Sequence, residues 1–168
     1  MCEEISMAEG FNLRRAKTKS PLILFYNGAL SPLLGNLRKI RYGDSYYIDE
    51  NVIRCVQSGS NYESYTGFFG FDSPVSTKGY KYIHFDALCD RYGAYHRLGI
   101  GSNNTSTFST SSVLGENSRH VVTVPIDEYQ GDYYLLFSVY GHGDPGSGAL
   151  TSHMGIFRIW LDNSETGE

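Results

Sequence analysis

Apolar and polar residues alternate along the stretch from Lys78 to Cys89. Ile83, Phe85, Ala87 and Cys89 fall on one face, and Tyr82, His84 and Asp86 on the other. Successive side chains of a strand point to opposite sides. The alternation therefore predicts a strand with one face on a core and the other toward water or a partner. Two later stretches share this character. From Gly131 to Tyr140, Tyr133, Leu135, Phe137 and Val139 oppose Tyr134, Leu136, Ser138 and Tyr140; both faces are rather apolar, which predicts a central strand. From Met154 to Leu161, Phe157, Ile159 and Leu161 share one face, with Arg158 and Trp160 on the other.

The rest of the chain is punctuated by turns. Leu22 to Tyr26 is an apolar run ended by Asn27-Gly28, a hairpin dipeptide. Pro32 confines Ala29 to Leu34 to an edge or a loop. Leu37 and Ile40 sit among basic residues, and further strands are predicted at Tyr46 to Ile48 and Val52 to Gln57. Asp90 to Arg97 reads as a polar-aromatic connector, or a hairpin tip around Gly93, into a strand from Tyr95 to Ile100. Gly101 to Ser112 is predicted to be an exposed loop, His120 to Ile126 a strand that Pro125 puts at an edge or brings to its end, and Gly141 to Gly148 a glycine-rich loop. Short strands between turns, with almost no helical periodicity, predict an all-β fold: an antiparallel β-sandwich of jelly-roll type. The sandwich is expected over residues 21–163, behind a short flexible N-terminal arm over 1–20 and ahead of a polar tail over 164–168. The arm carries Arg14, Arg15, Lys17 and Lys19 and a weakly signalled helix from Ser6 to Arg15. It reads either as a free terminus or as an attachment segment.

Composition narrows the function classes. A chain of 168 residues suits one domain with a real core. A net charge of -4 argues against nucleic acid as a partner. No apolar run has membrane-spanning length, so no membrane association is expected, and the first residues lack the basic-then-apolar order of a secretory signal peptide. Fourteen tyrosines favour a binding surface, because tyrosine is large, rigid and amphipathic. Cys2, Cys55 and Cys89 show no metal-ligand spacing; Cys89 reads as a core residue, and a disulfide between Cys55 and Cys89 stays open.

Candidate chemistry is sparse. His84 and Asp86 are neighbours on one strand face, as an acid-base pair or half a metal site would be, or as a plain solvated face would be. His142, Asp144 and His153 are of the right types for zinc or iron if the fold brings them together, as in a metal-dependent cupin-like enzyme. No phosphate loop or nucleophile elbow accompanies the glycines, and neither a cofactor nor catalysis is expected. Binding has better candidates. Ligand contacts are expected from Tyr62 and Tyr65, beside Phe68 and Phe69; from Arg91, Tyr92, Tyr95 and His96; and from Arg158 with Trp160. Exposed aromatics serve flat sugar faces or partner proteins; the alternative for each is burial over the ends of the sandwich.

The order of segments also resembles a family. Tyr26-Asn27-Gly28 comes first, then Lys78 to Asp86, then Leu98-Gly99-Ile100-Gly101. Val124 to Phe137 follows, in which Ile126 to Tyr134 match an apolar-Asp-x-Tyr-x-Gly-x-Tyr-Tyr turn, and the chain closes on Ile156 to Leu161. This order resembles the galactose-binding-like jelly rolls shared by many carbohydrate-binding modules, in particular the small versions found near phage and prophage tail genes. The resemblance covers residues 22–162. It implies a non-enzymatic virion accessory protein, tail- or fibre-associated, that binds glycan or a partner virion protein. Such a protein is expected in the virion or, before assembly, in the bacterial cytoplasm, and a homo-oligomer such as a trimer would favour this reading. A free-standing bacterial carbohydrate-binding or lectin-like protein is the alternative. No acidic cluster reproduces the calcium site such folds often carry.

Overall fold

The computed structural model describes residues 18–168. The expected helix from Ser6 to Arg15 and most of the arm lie outside them. Among the described residues, seven strands come first: β1 (Leu22–Tyr26), β2 (Ala29–Leu30), β3 (Leu37–Arg41), β4 (Ser45–Asp49), β5 (Val52–Ser58), β6 (Tyr65–Phe71) and β7 (Val75–Ser76). Six follow: β8 (Tyr82–Cys89), β9 (Arg97–Gly101), β10 (Thr110–Val113), β11 (His120–Pro125), β12 (Asp132–Asp144) and β13 (Gly148–Asp162). Every strand pairing is antiparallel, as expected for a jelly-roll sandwich.

Two layers result. In the first, β13 carries β8 along one side; β5 pairs with its first half and β1 with its second half on the other side. The edges are β11 beside β8, β4 beside β5, and β2 beside β1. In the second layer β12 is central, as expected, between β9–β10 and β6–β3, with β7 on its first residues. The layers meet over Phe85, Phe137 and Ile159, all fully buried. Phe137 takes the edges of Phe71 and Phe85 at 5.8 and 6.0 Å, the T-shaped geometry that aromatic quadrupoles favour.

Several segments differ from expectation. The glycine-rich stretch Gly141 to Gly148 is mostly strand: β12 and β13 continue as a hairpin, with His142 opposite Leu150 and Asp144 opposite Gly148. Thr110 to Val113, the end of the expected long loop, pairs with β9. Gly93 is no hairpin tip; β8 and β9 lie in different layers, and a short 3-10 turn, Gly93–Tyr95, carries the chain across. Phe157 does not join the core. A β-bulge between Ile156 and Arg158 inserts one residue, so Ile156, Ile159 and Leu161 face inward while Phe157 turns outward. Strict alternation cannot survive a bulge.

Both end segments of the described residues are tied to the sandwich. Lys19 donates to the Lys78 carbonyl at 2.8 Å, and the Ser20 carbonyl accepts from the Tyr80 hydroxyl at 3.1 Å. The Ser164 carbonyl accepts from His84 Nε2 at 3.0 Å, and Gly167 lies against Trp160 and His84. Cys55 and Cys89 are free thiols. Both pair with Met154 from opposite sides of β13, two strand spacings apart or about 10 Å, beyond disulfide reach. Burial pushes the Cys89 thiol up to about 11.

Candidate functional site

The expected site residues divide between surface and interior. Trp160 is 3% exposed, stacked on His84 with ring centroids 5.0 Å apart, beneath Arg158 at 4.3 Å. His84 is itself fully buried, so the polar face expected to meet solvent is covered at this point by the chain's own C-terminus. Its Nδ1 accepts from the Thr123 hydroxyl at 2.9 Å, which completes a neutral imidazole. Neither ring is open to a ligand face.

His96 is also fully buried. Its Nε2 donates to the Arg91 carbonyl at 2.9 Å, and its Nδ1 accepts the Tyr140 backbone N–H at 3.0 Å. Burial holds its pKa below the ordinary imidazole range, so it clamps the connector onto β12 as a neutral ring. The clamp leaves Tyr92 and Tyr95 outside. Tyr95, 61% exposed, stacks on Tyr140 at 4.7 Å, and Tyr92 packs edge-on to Tyr140 at 5.6 Å and beside His142 at 5.2 Å. Arg91 is exposed and pairs with Asp90 at 3.8 Å.

His142, Asp144 and His153 do not come together as a metal site. His142 faces the Tyr140 hydroxyl at 3.1 Å, His153 pairs with Asp90 at 2.8 Å, and Asp144 accepts from Gly146 and Ser147 in its own turn. Among the described residues no three His, Cys, Asp or Glu side chains come together as a metal site. Asp86 and His84 do not work as a pair either. Asp86 receives the Arg119 guanidinium at 2.7 and 3.0 Å, while His84 bonds to Thr123 and Ser164.

That Arg119–Asp86 pair borders a groove of about 370 Å³ on the outer face of the first layer. Tyr26, Asn27, Asp49, Asn51, Arg54 and Phe157 are among its lining. Three sequence features make it. The bulge turns Phe157 outward, where the Arg119 guanidinium lies 3.8 Å above its ring. Gly155 leaves the floor open: a Cβ there would meet Val52 at 3.1 Å and the Arg54 guanidinium at 3.4 Å. The Asn27-Gly28 and Glu50-Asn51 turns abut and form a wall; a Cβ on Gly28 would fall 2.3 Å from the Glu50 carbonyl oxygen. Tyr26, 54% exposed, rises beside Arg158, which stacks over it at 5.5 Å. Two carboxylates, Asp49 and Glu50, balance two guanidiniums, Arg54 and Arg119. Sequence reading missed this site because its residues come from four distant segments. The signals were present only as Asn27-Gly28 and as Gly155 within an otherwise apolar strand.

Tyr62 is 77% exposed on the loop before β6, whereas Tyr65 is half-buried within β6, its hydroxyl donating to Glu63 at 2.8 Å. Phe69 is buried and Phe68 half-buried against Phe108.

No family model and no curated protein matches the chain. Solved structures do. A family 29 carbohydrate-binding module superposes with a TM-score of 0.54 at 11% identity, covering 86% of this chain and 89% of that one. A variant of a family 29 module complexed with mannohexaose gives 0.54 at 11% identity, covering 86% and 92%. Another, complexed with cellulohexaose, gives 0.53 at 11% identity with the same coverage. At this identity the likeness establishes the sandwich fold that the chain shares with these modules.

Proposed function

We propose that the protein is a non-catalytic glycan-binding module, and that the groove bordered by Tyr26, Phe157 and Arg119 holds a neutral oligosaccharide. One observation carries the reading: ring faces, guanidiniums, carboxylates and amides converge around a glycine floor. Pyranose rings present apolar C–H faces, which suit the exposed Tyr26 ring, and hydroxyl groups that need both donors and acceptors; Phe157, capped by Arg119, shapes the groove beside it. Arg54, Asn27 and Asn51 supply donors; Asp49, Glu50 and the amide carbonyls supply acceptors. The charges in the groove sum to zero, which favours a neutral chain over a uronic acid polymer. Asp86 is committed to Arg119, which positions that guanidinium rather than offering a catalytic acid.

The solved complexes of similar fold with mannohexaose and cellulohexaose support this reading and supply the probes. It agrees with the free-standing alternative weighed on the sequence better than with a virion role. Titration calorimetry with both hexasaccharides tests it. Arg119→Ala removes the guanidinium that caps Phe157 and borders the groove, with the N–H donors that Asp86 leaves free; loss of a charged hydrogen bond there, worth about 1.5–3 kcal/mol, is expected to weaken binding about 10- to 100-fold. Unchanged affinity in Arg119→Ala, or no binding by the parent protein to any neutral glycan, would overturn the proposal.

A further inference from the structure

A second cavity, of about 410 Å³, lies beside Gln57, Ser58 and Gly59 at the far end of β5. The first groove reaches Val52 at the near end of that strand. Five residue steps separate Val52 from Gln57, about 17 Å at the rise of a strand. The cavity is within the size range of small-ligand sites.

Its construction is specific. Tyr42 and Tyr65 line one side, with ring centroids 5.6 Å apart and tilted by 41°. Both are fixed: Arg41 stacks on Tyr42 at 4.9 Å, and Tyr65 donates to Glu63. Gln57 lies at the base and is 3% exposed. Its Oε1 accepts the Gly43 N–H and its Nε2 donates to the Ser58 carbonyl, each at 2.6 Å. These two bonds fix the orientation of the amide. One amide N–H and one lone pair remain beyond them. Asp44 accepts the Ser58 N–H through one carboxylate oxygen at 2.6 Å, and Lys39 also lines the cavity.

The backbone is bent to make this space. Tyr42 has φ 50°, a left-handed conformation that bulky residues rarely adopt, and Gly43 follows at φ 80°. A Cβ on Gly43 would strike the Phe69 ring at 2.7 Å, and one on Gly67 would strike Gln57 Oε1 at 2.4 Å. Both glycines therefore keep the amide reachable and the tyrosines in place. Such strain gathers at binding sites.

We propose that this cavity is a separate subsite for a single sugar ring. Ring faces from Tyr42 and Tyr65 would cover its C–H surface, and Gln57, Asp44 and Lys39 would bond its hydroxyls. Lys39 and Asp44 balance, so the ring is uncharged. The ligand class rests on the glycan-binding reading; the site does not share residues with the groove.

The test is an NMR titration of the full chain with glucose, mannose, galactose and N-acetylglucosamine. At least one is expected to shift the Gln57 side-chain amide and the Gly43 amide in a saturable way. Tyr42→Asn, which removes the ring but tolerates the left-handed backbone, is expected to weaken that titration by at least about tenfold. Arg119→Ala is expected to leave it unchanged. If the sugars and both hexasaccharides shift only Asn27, Asn51 and Arg119, the cavity is not a subsite while the glycan reading stands. If no signal in either region moves, both readings fail. A Tyr42→Asn protein that titrates like the parent also overturns the subsite.

Discussion

Trp160 separates a structural role from a ligand-binding one, and Trp160→Ala makes the distinction measurable. The ring is 3% exposed, stacks on buried His84 at 5.0 Å and lies beneath Arg158 at 4.3 Å. Truncating a buried tryptophan to alanine costs about 3–5 kcal/mol, from lost transfer energy and the cavity left behind. Gly167 and the tail around it lose their platform too. For a domain of this length each kcal/mol lowers the melting temperature by about 2–4 °C, so a fall of about 6–20 °C is expected. The assay pairs a circular-dichroism melt with titration calorimetry well below the lowered midpoint. Glycan affinity there is expected to stay within about twofold of the parent, because the ring lies beneath the surface rather than in the groove. A melt shifted by under about 2 °C, together with loss of binding, would refute this and restore Trp160 as a contact residue.

The other predictions are simpler to state. His84 and His96 are both held below the ordinary imidazole value of 6.5, chiefly by burial, so the unfolded chain binds protons that the folded chain refuses. Their contribution is fully present above pH 6.5 and is lost as pH falls from there through the folded values; melts from pH 8 to 4.5 check this, and a flat midpoint across pH 7 to 5 contradicts it. Gly28→Ala places a Cβ against the Glu50 carbonyl at φ +78° and is expected to cost about 1–3 kcal/mol in urea denaturation, with weakened glycan binding because the groove wall shifts. In a Cys2→Ser background, Cys55 and Cys89 are expected to react with a thiol reagent only on unfolding. Rapid modification of the native protein would show that their burial is wrong.

Much of the fold was legible because period-two patterning survives wherever strands are regular. Ile83, Phe85 and Ala87 face the core as their alternation requires, Asn27-Gly28 makes the hairpin it encodes, and Pro125 ends an edge strand. Local pattern failed where tertiary contacts override it. Phe157 reverses because of one inserted residue, and Trp160 is covered by a tail whose return no neighbouring residue announces. His96 looked like part of a binding cluster with Tyr92 and Tyr95; its imidazole instead fastens the backbone that presents them. The groove was not legible at all, since spacing along the chain cannot show that Tyr26, Asn51, Arg119 and Phe157 meet. The virion role rests on family resemblance alone, and the solved structures of similar fold, all carbohydrate-binding modules, do not bear on it.

The most direct measurement is calorimetric titration of the parent protein and Tyr26→Ala with cellulohexaose and mannohexaose. Saturable binding by the parent to at least one of them is expected, with a loss of about tenfold or more in the variant at an unchanged melting temperature. Equal affinity in the two proteins, or heat of dilution alone from the parent, would contradict it.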